Sequence, residues 1–214
     1  MTGDRSFSGH DLARLEGFIY GHARTITCSE FHEGDHRPDA IMLRHDVDND
    51  PEQAVLFAQW EADRDIRSTY FLLPTASYWP RAARDTALAL AAMGHEVGVH
   101  NDALCAAEGD LDRALALLSD WATEMRSWGL TIRGCADHGG VGWKNTDMWR
   151  VHLQPLSAAG LEYEAYLLHQ QETNYISDNR GTWRAPMRRR SDRPTHMLIH
   201  PEHWPVDRPQ RMAA

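Results

Sequence analysis

Ala40-Ile41-Met42-Leu43-Arg44-His45-Asp46-Val47-Asp48 reads as a strand that ends in charge. Side chains alternate faces along an extended chain, so Asp46 and Asp48, one residue apart, point to the same side. An apolar run that delivers two co-facial acids to its C-terminal tip belongs to a buried strand, and in α/β folds that tip is where sites are built. Asp48-Asn49-Asp50-Pro51 also reads as the cap of a following helix, since proline is tolerated in a first turn.

Strands and helices alternate on either side of this segment. The 3.6-residue pattern predicts a helix over about 11–24, with Leu12, Leu15, Phe18 and Ile19 on one stripe. A second helix is expected from Pro51 to about Asp63, with Ala54, Val55, Ala58 and Ala62 facing inward. Strands are expected over Ser68–Leu73, Glu96–His100, Thr131–Ala136, Leu161–Leu167, Asn174–Ser177 and Thr195–Ile199. Helices fall between them, over Arg81–Met93 (stopped by Gly94), Leu111–Trp128 (ended by Gly129) and about Thr146–His152. The alternation implies a parallel sheet with crossover helices, either an open doubly wound sheet or an incomplete (β/α) barrel. No glycine-rich loop follows the first strand, which speaks against a nucleotide-phosphate site there. No repeat or linker divides the 214 residues, so they are expected to form one domain, with the 11–24 helix packed on it.

Composition narrows the partners. A net charge of −9 argues against nucleic acid or an anionic membrane surface, and Arg188-Arg189-Arg190, the one basic cluster, reads as a solvated loop. No segment approaches the roughly 20 apolar residues of a membrane span. Residues Met1 to His10 lack an apolar core, so no secretory signal is expected. Three widely spaced cysteines (Cys28, Cys105, Cys135) suggest reduced thiols and a cytoplasmic setting. The 13 histidines are the unusual count, because imidazole serves both as metal ligand and as proton carrier.

Those histidines sit at predicted strand tips: His100-Asn101-Asp102, Asp137-His138-Gly139 and His200-Pro201. In a parallel sheet these tips converge with Asp46 and Asp48, giving a nitrogen and oxygen donor set suited to zinc, iron, cobalt or nickel. His95 and His100 are five apart on a strand and face opposite ways. His100 is placed toward the site, with Val97 and Val99 against the helices. His203 follows a proline turn and reads as surface.

In combination these segments resemble the polysaccharide deacetylase-like group of carbohydrate esterase family 4, in the branch with an Arg-His-Asp-Val-Asp opening. The resemblance is carried by Arg44 to Asp48 with Pro51, by Ser68-Thr69-Tyr70-Phe71-Leu72 and by Gly94 to His100. Further matches are His138-Gly139 with Asn145 and Trp149, Ser177-Asp178 with Trp183, and Ile199-His200-Pro201 with Trp204. It spans about residues 40–205.

The resemblance implies a distorted (β/α)7 barrel and a divalent metal, zinc first, hydrolysing an N-acetyl or O-acetyl group of a sugar or nucleotide-sugar. It implies Asp46 as base and Asp48 as metal ligand. The family's second motif supplies two histidines four apart. Here the first is His100 and the second position holds Leu104. His138 is therefore expected as the substitute ligand, giving Asp48, His100 and His138 as the metal set. His200 is the candidate acid. Arg44, Asn145, Asp178 and Trp183 are assigned to substrate binding, with Arg44 alternatively holding Asp46 ionised and Asp178 orienting His200. Rival readings are a catalytically silent sugar-binding barrel and a metallohydrolase acting on another amide or ester.

Overall fold

The computed structural model of the chain describes residues 11–139, 142–178, 191–204 and 206. Its strands are β1 (Arg24–Ile26), β2 (Ala40–Val47), β3 (Thr69–Leu72), β4 (Glu96–Asn101), β5 (Gly134–Asp137), β6 (Tyr163–Glu164), β7 (Asn174–Ser177) and β8 (Thr195–Ile199). All pair in parallel, in the order β6-β5-β4-β3-β2-β8-β7, with β1 added to β2. Every residue of β2 is buried, which requires cover on both faces. The helices α3 (Pro51–Ala62), α4 (Arg81–Ala92) and α6 (Leu111–Ser127) cover one face. The other face curls around a lumen, so the sheet is a half-barrel of the (β/α)7 type.

The strand period separates two cores. Ile41, Leu43, Val47, Tyr70, Leu72, Val97 and Val99 pack outward against the helices. Ala40, Met42, Phe71, Ala136 and Tyr163 fill the lumen with Ile26, Cys28 and Phe31. Small residues make the curl possible. A Cβ on Gly98 would stand 2.5 Å from the Phe71 ring, and one on Gly134 would stand 2.2 Å from Tyr163, both closer than contact allows.

Three expectations are corrected. The N-terminal helix α1 spans only Leu12–Ile19. Its capping residue Tyr20 is followed by Gly21, His22 is tied to Phe18 O and Thr195 Oγ1 at 3.0 Å, and the β-branched Thr25-Ile26 then extends as β1. A short helix α2 (Cys28–His32) follows, started by a Thr27/Glu30 capping box. The strand expected over Leu161–Leu167 ends at Glu164. The Glu164 carboxylate accepts from the N–H groups of Tyr166 and Leu167 and starts helix α8 (Ala165–Glu172). On α3, Val55 and Ala62 are only half-buried, and the inward stripe is Ala54, Phe57, Ala58, Trp60 and Glu61.

Glu61 is fully buried and charged. It accepts from His45 Nε2 at 2.8 Å, Ser68 Oγ at 2.7 Å and Tyr70 OH at 2.8 Å. Burial opposes its ionisation, but the adjacent His45 and these donors hold its carboxyl below the usual range. His95, on the same outer side, bonds Ser68 Oγ and Ala58 O. Among the described residues, no helix is long and apolar enough to cross a membrane.

Candidate active site

The C-terminal strand ends open on a cavity of about 690 Å³, lined among others by Asp46, Asp48, His100, His138, His200 and Glu202. Register explains the gathering. β4 and β5 are paired at His100↔Ala136, and β2 is paired to β8 through His45↔Ile199, so the residues that follow reach one rim.

Asp48, His100 and His138 each bring a donor atom within 4.8 Å of the other two. His100 Nδ1 lies 2.8 Å from Ala136 O. A carbonyl only accepts, so Nδ1 carries the proton, and in the neutral ring Nε2 is bare. That nitrogen stands 3.2 Å from Asp48 Oδ1 and 3.6 Å from Asp46 Oδ2. Asp48 Oδ1 is buried without a hydrogen-bond partner among the described residues. A bare imidazole nitrogen facing carboxylate oxygens needs a proton or a cation between them, so the residues fit a divalent metal.

Asp46 is held by Arg44 from the same strand face in a bidentate pair, Nε to Oδ1 at 2.8 Å and Nη2 to Oδ2 at 2.6 Å. The guanidinium is fully buried and lies over the Tyr166 ring at 4.4 Å. Burial alone would raise the Asp46 carboxyl, but Arg44 and then His100 hold it far below the usual range.

His200 Nδ1 donates to Asp178 Oδ1 at 2.7 Å, and its backbone N–H donates to Oδ2 at 2.8 Å. Trp204 Nε1 adds a third donor to the same carboxylate at 3.1 Å. Burial lowers the imidazole, but Asp178 and then Asp46 outweigh it and raise its pKa to about 9. Asp178, His200 and His203 also bring donor atoms within 4.8 Å of one another. Both Asp178 oxygens are already taken by N–H donors, which is the arrangement of a carboxylate that orients an imidazole.

Of the residues assigned from sequence, Asp46, Asp48, His100, His138 and His200 are brought to one cavity. Arg44, Asn145 and Asp178 are not among its described lining residues: each is buried and bonds a neighbour. Arg44 lies against Asp46 and Asp178 against His200, the positions of the alternative roles read for them. Trp183 and Arg188-Arg189-Arg190 lie outside the described residues. Leu104, at the position where the family's second motif has its second histidine, is buried in the outer core.

The structure adds Tyr166, Tyr175, Asp137 and Glu202 to the lining. Burial, then the nearby Asp48, raise the Glu202 carboxyl to about 7, and its Oε2 has no hydrogen-bond partner among the described residues. Burial and then Glu164 raise Asp137 well above the usual range. Asp137 and Glu202 each stand beside a histidine already singled out, which was the available signal. Tyr166 was hidden by the misread strand.

Among solved structures the chain is similar to a CE4 esterase from Streptococcus mutans, at TM-score 0.53 and 12% identity over 90% of this chain and 84% of that one. The fold is that of the family 4 carbohydrate esterases. A family 4 carbohydrate esterase from Bacillus anthracis gives TM-score 0.47 at 13% identity, over 74% of this chain and 66% of that one. A CE4 pseudoenzyme from the same organism gives 0.44 at 15% identity, over 75% and 54%. This chain thus spans less than two thirds of the length of these two, and the fold likeness rests on the Streptococcus mutans esterase. No protein-family model and no curated protein matches the sequence.

Proposed function

We propose that the chain is a metal-dependent hydrolase that removes an acetyl group from an N-acetylated, or O-acetylated, sugar or glycan precursor. The observation that carries this reading is the joint placement of three converging metal donors, an ionised acid and a protonated imidazole around one cavity. Asp48, His100 and His138 would hold the metal, with zinc the first choice for this donor set and iron, cobalt or nickel the others. A divalent metal held there would polarise the acetyl carbonyl and lower the pKa of bound water toward about 7.

Asp46 accepts the proton of the attacking water. Paired to Arg44 it stays ionised and is a weak base. His200, protonated at neutral pH, gives its proton to the departing nitrogen. Asp178 keeps that ring in place. Tyr166 and Tyr175 offer faces on which a sugar ring can rest. A cytoplasmic setting is part of the reading, supported by the free thiols of Cys28, Cys105 and Cys135.

The test is metal analysis of the purified protein together with acetate release from a panel of N-acetylated sugars and nucleotide-sugars. About one metal per chain and acetate from at least one substrate support the reading. One observation favours a second reading, a sugar-binding barrel without chemistry: the position four after His100 holds the buried Leu104, not a ligand. Glycan binding with no metal uptake would establish that alternative.

A further inference from the structure

His138 is fixed more firmly than a residue after a strand end needs to be. Its backbone N–H donates to Asn101 O at 2.8 Å. Its carbonyl accepts from Asn145 Nδ2 at 2.9 Å. Its Nδ1 is buried, and the Asp102 carboxylate stands 3.4 Å away. Asp102 is itself held: Thr75 Oγ1 donates to Oδ2 at 2.9 Å and Asn145 Nδ2 to Oδ1 at 3.1 Å. Asn145 is anchored in turn, its Oδ1 accepting from Leu104 N at 2.9 Å.

The geometry points to Asp102 as a positioning residue: with Asn145 it holds His138 in the tautomer that carries its proton on Nδ1 and leaves Nε2 bare for the metal. A lone pair on a buried Nδ1 would face a carboxylate with no donor between them, which is repulsive, whereas an N–H there is attracted. Carboxylates placed behind imidazole ligands act this way on metal sites generally. The device compensates for Leu104. The short helix α5 (Ala103–Ala106) begins where a second ligand of the β4 tip is missing, and its Leu104 N–H braces the clamp that presents a ligand from the neighbouring tip of β5.

This inference rests on the metal reading for its consequence but not for its test. Nitrogen-15 NMR of histidine-labelled, metal-free protein, at a pH where the ring is neutral, reports the tautomer directly. In the wild-type chain His138 should show a protonated Nδ1 and an unprotonated Nε2. In Asp102→Ala it should move toward the Nε2–H form. Zinc affinity by chelator competition should fall about 10- to 100-fold in Asp102→Ala, with the metal-free melting temperature little changed. An Nε2–H tautomer in the wild-type protein overturns the proposal, whatever the variant does. So does an unchanged tautomer in a folded Asp102→Ala protein. A wild-type chain that shows the Nδ1–H form and takes up no zinc supports the clamp and overturns the metal reading instead.

Discussion

His200 and Asp46 face each other across the β2–β8 pairing, and each is locked by a partner of opposite charge beneath it: Asp178 under His200, Arg44 under Asp46. The site thus keeps a protonated base and an ionised acid side by side at neutral pH. In the proposed hydrolysis a proton would pass between these two groups.

On the proposed mechanism the His200–Asp178 pair sets the alkaline limit. Turnover should fall as pH rises through about 9, where the imidazolium of His200 is lost. Asp178→Asn removes the main raising influence and should shift the fall toward the ordinary histidine value of about 6.5. The folded value lies above the unfolded one, so the stability this proton contributes is complete below about 6.5 and lost as pH rises through the folded value. Paired pH–rate and pH–melting profiles of the two proteins check both statements, and identical alkaline limbs would remove His200 from the mechanism.

Asp46→Asn keeps shape and loses the charge. Turnover should drop by at least about a hundredfold, with metal still bound. Arg44→Met should instead unfold much of the site, because it strands a buried carboxylate at a cost of about 3–5 kcal/mol. Urea denaturation separates the two, and a stable, active Arg44→Met protein would show that the pair is ornamental.

Alanine at Asp48, His100 or His138 should each cut metal occupancy sharply, since three protein ligands is the common minimum for a catalytic site. Elemental analysis after dialysis gives the answer. Full occupancy in His138→Ala would mean that the β5 tip does not substitute for the ligand missing at Leu104.

Glu61 holds no place in the chemistry. Glu61→Ala leaves His45, Ser68 and Tyr70 with buried donors unpaired, and should destabilise by about 3–5 kcal/mol. Because the folded carboxyl lies below its ordinary value, its stabilising contribution is present above about pH 4.3 and lost as pH falls further. Chemical denaturation between pH 3 and 7 should show the wild-type and Glu61→Gln curves converging at the acid end.

The apolar strand from Ala40 with its co-facial acids, the helix stops at Gly94 and Gly129, and the placement of His100 opposite Val97 and Val99 were all legible in the chain. Alternation, capping and parity are local and depend only on backbone geometry. The strand tips bearing Asp46, Asp48, His100, His138 and His200 could likewise be named, because a parallel sheet must bring such tips to one rim. Pairing was not legible. The chain left Arg44 two roles, substrate binding or holding Asp46 ionised, and only the buried lumen shows it paired to Asp46. Glu61 hides in an apparently apolar helix because the His45 it bonds is 16 positions away. The end of β6 at Glu164 turns on one side chain choosing to cap a helix. Long-range contacts decide where a buried charge finds its partner, and no local pattern in the chain encodes that choice.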